Sequence, residues 1–151
     1  MQSQKRSLDM YDIRHEIIIN APADTVFRAI TTQEGLRSWW SADSTVQEKV
    51  GSVAVFKFLN GSVIFRMRID EMVPGKKVTW TCLGDAEEWE KTKLTFSIDL
   101  TDDNGTDLNF THSGWRSVEG DYPFCNTTWG HLMYILKDYA EGRSPGPLFE
   151  G

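Results

Sequence analysis

A chain of 151 residues that is 40% hydrophobic, 25% charged and 12% aromatic has room for one domain, in which roughly 68–70% of the unfolded surface becomes buried. Its 22 acidic and 16 basic residues leave a net charge of −6, with no basic stripe, which argues against a nucleic-acid partner. No window approaches the roughly 18 apolar residues of a membrane span, and Lys5 and Arg6 in the opening MQSQKRSLDMYD are followed by no apolar run, which argues against a secretion signal.

Residues 1–11 read as a flexible N-terminus. IRHEIIIN then alternates as a strand, with Ile13, His15, Ile17 and Ile19 on one face. Asn20 or Asp24 is placed to cap a short helix that carries Val26, Phe27 and Ile30 at helical spacing. A second short helix, EGLRSWW, follows at once, weakened by Gly35 and ended by the doublet Trp39-Trp40. Helical neighbours point about 100° apart, so the two rings cannot share one core face.

From Thr45 to His112 the period changes to two. Two alternating runs flank Asn60-Gly61, a strong hairpin signal; Pro74-Gly75 makes the next turn, and a second hairpin turns around Asn104-Gly105. One face of these strands carries Phe56, Phe58, Val63, Phe65, Met67, Ile69, Val78, Trp80, Cys82, Leu94, Phe96, Ile98, Leu100, Leu108, Phe110 and His112. The other carries Lys57, Arg66, Arg68, Thr95, Asp99 and their like. This is an antiparallel sheet with one dry and one wet face. A long amphipathic helix from Tyr122 to Glu141 comes last, with Trp129, Leu132, Met133, Leu136 and Ala140 on one stripe that Cys125 joins. The dry face needs a cover, and only this helix is long enough to supply it. The expected fold is α+β: a first strand, two short helices, a strongly bent antiparallel sheet and a long C-terminal helix. One domain spans 12–142, with 143–151 as a loose tail.

His112 is the one readily ionisable side chain, Cys82 apart, on the dry face of the later strands. It reads as a general base, as a partner for a ligand, or as a histidine satisfied at a strand end. His15 has the same readings, and His131 falls on the polar side of the long helix. Three His and two Cys lack ligand spacing, so neither a metal nor a cofactor is expected. TDDNGTD fails as a calcium loop, because Gly105 at position six puts Leu100 at position one. GDAEEWEK reads as a solvated loop between strands. No GxSxG, P-loop or GxGxxG occurs. Cys82 and Cys125, far apart and outside any CxxC, fit small buried hydrophobes in a reducing cytoplasm.

IIINAPADTVFRAITTQEGLRSWW, the Asn-Gly hairpins and GHLMYILKDYAEG together resemble the SRPBCC (START-like, birch-pollen-allergen-like) helix-grip superfamily. Within it, the chain is most similar to small bacterial proteins of the heat-shock-protein-90 ATPase activator homologue-like group. The resemblance rests on Ala21-Pro22, Val26-Phe27, Trp39-Trp40 and the helix positions Trp129, Gly130, Leu132, Leu136 and Tyr139. It departs at SADS, where a Gly-rich turn is usual, and in the order Trp-Gly on the helix. It implies a sheet wrapped around the long helix with a hydrophobic cavity between them, the two short helices forming part of the rim. The residues it assigns to the cavity are Trp39, Trp40, Phe56, Phe58, Phe65, Met67, Trp80, Phe96, Phe110, His112, Trp115, Trp129, Met133 and Leu136. One ring of the doublet would anchor the short helix; Trp40 is placed at the cavity mouth, beside the loop after His112 that carries Trp115. The alternative is that both rings clamp the helix to the sheet.

Three roles follow from this picture. The first is a carrier or sensor of a hydrophobic small molecule, such as a lipid, polyketide or aromatic metabolite, acting as monomer or homodimer. The second is a polyketide-cyclase or hydrolase type of enzyme using the same cavity, for which His112, His15, Asp70 and Glu71 are the available acid–base groups. The third is a protein-interaction module related to chaperone ATPase activators.

Overall fold

The computed structural model describes residues 10–151. Its elements in chain order are β1 (Tyr11–Ile19), α1 (Ala23–Thr31), α2 (Gln33–Trp39), β2 (Asp43–Thr45), β3 (Val53–Phe58), β4 (Val63–Val73), β5 (Lys77–Cys82), β6 (Lys93–Leu100), β7 (Thr106–Trp115) and α3 (Tyr122–Ala140). Of the expected flexible N-terminus, residues 1–9 lie outside the described part. Tyr11 belongs to the sheet, paired with Trp115.

The strands form one antiparallel sheet of seven in the order β1-β7-β6-β5-β4-β3-β2, open at both edges. Alternation sets its register: Phe56 faces Phe65, Trp80 faces Leu94, and Phe96 faces Phe110. All six of these side chains except the half-buried Phe65 are buried. The helix-grip α+β architecture expected from the sequence is the one found, with α3 lying along β1 and against both short helices. Its buried stripe is Trp129, Leu132, Met133, Leu136 and Ala140. Leu100 departs from the pattern: it stays 69% exposed, because it stands at the last pair of β6, next to the turn that leads to Thr106. Among the described residues no helix is long and apolar enough to cross a membrane.

Two local details position the site. Neither Asn20 nor Asp24 caps α1, whose N-cap is Pro22; Asn20 instead donates its main-chain N–H to Glu141 Oε2 at 2.7 Å, tying the end of β1 to the end of α3. Gly35 strengthens the helical corner rather than weakening it. Its N–H is held by the N-cap hydroxyl of Thr32 at 3.0 Å, and the missing side chain lets α2 press against the backbone of α1. A Cβ there would stand 2.5 Å from Ala29 O and 2.7 Å from Ala29 Cα.

The segment 143–151 is attached rather than loose. Leu148 and Phe149 donate to Trp39 O and Trp40 O at 3.2 and 3.0 Å, Ala42 donates to Phe149 O at 2.9 Å, and Asn60 donates to the main-chain oxygen of Gly151 at 2.8 Å.

The corner between α1 and α2 yields a test. Because both backbones must move apart to accept one methyl, Gly35→Ala is expected to cost about 1–3 kcal/mol, read as a fall in the denaturant midpoint at unchanged m. An unchanged or raised midpoint would mean that the helices separate freely.

Candidate functional site

The cavity lies where α3 stands off the sheet at its β3–β4 end. Its volume is about 420 Å³, and its walls come from five places. The sheet supplies Phe58, Val63 and Phe65, with Leu59 from the β3–β4 turn. The loop between β5 and β6 supplies Ala86 and Trp89. From α3 and the residue before it come Asp121, Phe124, Cys125, Thr128, Trp129 and Leu132. The residue after α2 gives Trp40, and the final segment gives Phe149. Leu59 and Phe124, 64% and 74% exposed, mark the mouth.

Five rings in this wall form a closed circuit. Centroid separations run Trp129–Trp40 5.2 Å, Trp40–Phe58 6.0 Å, Phe58–Phe65 5.5 Å, Phe65–Trp89 4.4 Å and Trp89–Trp129 6.2 Å. These are the distances at which aromatic pairs attract beyond their burial. The circuit presents apolar ring surface to whatever enters.

The tryptophan doublet is resolved by where the helix stops. Trp39 is the last residue of α2, and Trp40 is its C-cap, with its N–H still bonded to Leu36 O at 3.0 Å. Both rings are buried and stack at 5.9 Å. Trp39 anchors the short helices by donating its Nε1–H to Ala29 O at 2.8 Å. Trp40 turns into the cavity wall, backed by Phe56 at 4.4 Å and Trp80 at 6.4 Å. At 2% exposure it is an inner wall and not a gate.

Of the side chains that the sequence assigned to the cavity, Trp40, Phe58, Phe65 and Trp129 line it. Phe56, Met67, Trp80, Phe96, Phe110, Met133 and Leu136 pack in the core that supports them, as does Trp39. Trp115 is buried behind Trp89, against His112 and Tyr122, and does not itself line the cavity. The sequence reading missed Trp89 and Phe149. GDAEEWEK is not solvated throughout: its short 3₁₀ turn, Glu87–Trp89, buries the indole. Arg116 holds that turn by donating to the carbonyls of Glu87 and Glu90, at 2.7 and 3.2 Å.

The ionisable groups stand mainly outside this wall. Asp70 sits at the register shift of β4, where burial raises its pKa but hydrogen bonds from Thr81 and Arg68 outweigh that and hold it below the ordinary value. Glu71 pairs with Lys77 at 3.4 Å. His15 lies against α3, with Nε2 at 3.2 Å from Asn126 O, and His131 is exposed. Burial pushes the Cys82 thiol up to about 12 and the cavity thiol of Cys125 up to about 11, so both remain protonated near neutrality. At the mouth, burial and then the charge and hydrogen bond of Glu88 raise the pKa of Asp121. Among the described residues no group of three or more His, Cys, Asp and Glu is placed to hold a metal.

The family profile described as "Activator of Hsp90 ATPase homolog 1-like protein" matches residues 20–141. The chain belongs to this family. Among solved structures, the Aha1 dimer from Colwellia psychrerythraea is 32% identical, with a TM-score of 0.79 over 87% of this chain and 97% of that one. Protein MLL2253 from Mesorhizobium loti (19% identical, TM-score 0.75, 85% and 95% covered) and protein CV1439 from Chromobacterium violaceum (23%, 0.74, 86% and 96%) share the fold. Among curated proteins none matches the chain.

In this member of the family, His112 bolts three elements together. Trp129 Nε1, which can only donate, points at His112 Nδ1 at 3.1 Å. The imidazole proton is therefore on Nε2, which donates to Thr92 Oγ1 at 2.9 Å; that hydroxyl donates to Trp89 O at 2.6 Å. The chain runs from α3 through β7 to the loop before β6, and fixes two rings of the circuit. Both ring nitrogens are committed and the group is wholly buried, which lowers its pKa from 6.5 to about 3.

This arrangement carries a pH signature. Between the unfolded value of 6.5 and the folded value of about 3, the unfolded chain binds a proton that the folded chain refuses. Stability should therefore fall as pH falls through that window, by up to about 1.4 kcal/mol per pH unit from this residue. Glu141, whose pKa hydrogen bonding from Lys137 brings down from 4.5 to about 2, adds its own loss only at lower pH. His112→Gln should be less stable at pH 7, yet lose stability less steeply between pH 6.5 and 4.5. Parallel slopes in denaturation series would show that His112 takes up its proton while folded.

Proposed function

We propose that the chain binds a small apolar molecule among the aromatic rings of this cavity, as a carrier or sensor. The observation that carries the reading is the set of five mutually contacting rings in the wall of a cavity of about 420 Å³. A space of that size with a mostly apolar wall is typical of small-molecule sites. The ligand class it suits is a flat lipid-like, polyketide-like or aromatic metabolite that stacks on indole faces. The commitment of His112 to Trp129 and Thr92 supports a carrier over a cyclase or hydrolase, which needs an inward acid–base group free to move protons.

Self-association is a second reading, favoured by the exposed aromatics Phe124 and Tyr134 on α3 and by the dimer described for the Colwellia neighbour. Native mass spectrometry of the purified chain reads both mass and any small molecule of a few hundred daltons that accompanies it.

The test of binding is titration with the neutral probe N-phenyl-1-naphthylamine. Thr128 lines the cavity and is half-buried, so Thr128→Trp fills space without removing core. Wild type should bind one probe saturably, and Thr128→Trp should weaken binding by about tenfold or more with the melting temperature little changed. Absence of saturable binding to wild type, or equal affinity for both chains, would refute the reading.

A further inference from the structure

The family profile ends at residue 141, yet the segment after α3 contributes a wall to the cavity. At Gly142 the chain enters the left-handed region, φ 93°, and Arg143 N closes onto Asp138 O at 2.9 Å. Pro145, Gly146 and Pro147 then carry it across the surface, with Gly146 at φ 76°. Phe149 bridges Ser41 in parallel register and sets its ring edge-on to Phe58 at 4.9 Å and 79°. Every hydrogen bond that fastens Leu148 to Gly151 reaches either the stretch 39–42 or Asn60. Those two anchors flank Trp40 and Phe58, so the segment lies across the wall between them.

We propose that residues 143–151 are a detachable strap, and that Phe149 is the residue that sets how long and how bulky a molecule the cavity retains. Two physical points carry this. Beyond Arg143, which stays tied to Asp138 and Glu141, the strap has four main-chain hydrogen bonds and two half-buried side chains, Leu148 and Phe149, to set against the entropy of ordering its residues, and these are of similar size. The segment of proteins that opens first is one with few buried contacts and accessible hydrogen bonds. Its release uncovers Phe58 beside Trp40 and widens the cavity without disturbing a strand or α3. The role in retention rests on the ligand reading above; the detachment does not.

Hydrogen exchange of the amides of Ala42 and Asn60, whose partners are Phe149 O and the main-chain oxygen of Gly151, reports strap opening with no ligand present. In the wild-type chain these two amides should exchange much faster than those of β6 and β7. Phe149→Ala should speed them about tenfold further while the sheet is unaffected, and Phe149→Trp should restore the wild-type rate. In stopped flow, Phe149→Ala should release N-phenyl-1-naphthylamine about tenfold faster than wild type. Ala42 and Asn60 exchanging only with global unfolding would overturn the strap, as would a probe release rate indifferent to Phe149. Wild type that shows the expected exchange but binds no probe would defeat the ligand reading and leave a detachable strap established.

Discussion

A seven-stranded sheet with one apolar face is wider than one helix can cover, and the rest of the molecule is a response to that mismatch. Six strand spacings amount to about 29 Å, whereas a helix with its side chains is about 10–12 Å across. With 19 residues α3 is long enough for the sheet but cannot be broad enough. α3 lies along β1, and what it leaves uncovered toward β5, β6 and β2 is taken by α1 and α2, pressed together through the bare backbone at Gly35. What remains at the β3–β4 side is lined by rings and left as a cavity.

Large aromatic side chains suit that task because each spans a gap with few torsions to freeze. A buried N–H without a partner is costly, and Trp80 and Trp115 each keep one, but the two rings that fix the helices are satisfied. Trp39 gives its proton to Ala29 O, and Trp129 gives its proton to His112. His112 therefore belongs to the architecture of the wall: it passes the hydrogen-bond chain from Trp129 to Thr92 and on to the carbonyl of Trp89. A charged imidazole would confront the donor on Trp129 with a second donor. Burial keeps the histidine neutral, and the neutral ring is the form that can accept the bond that orients Trp129.

Regular repetition made most of the fold legible. Period two over β3 to β7 and the stripe on α3 each repeat the same signal many times, so one exception such as Leu100 does not blur it. Legibility failed where a single residue acts through distant partners. Trp89 sits among acidic neighbours, and its inward turn depends on Arg116, more than twenty residues away. Phe149 follows a Pro-Gly-Pro stretch that reads as a tail, and the strand-like bridge that holds it is to Ser41. The division of the doublet into an anchor and a cavity ring was legible, but the depth of Trp40, an inner wall and not the mouth, depends on Phe56 and Trp80 behind it.

Those three residues share a property that bears on how such a cavity specialises. Trp40, Trp89 and Phe149 all come from connections and not from regular elements, while Phe58, Phe65 and Trp129 come from the sheet and α3. The second group is fixed by pairing register and by the core stripe, so exchanging it disturbs folding. The first group hangs on a helix end, a 3₁₀ turn and a strap; Trp40 and Trp89 are buried among core rings, whereas Phe149 is half-buried and is the one exchanged at least cost to the core. In this family member, three of the seven aromatic side chains in the wall therefore come from connections, and four, Phe124 included, from the sheet and α3. Of the three, Phe149 lies furthest from the fixed set, because it stands beyond the family profile altogether.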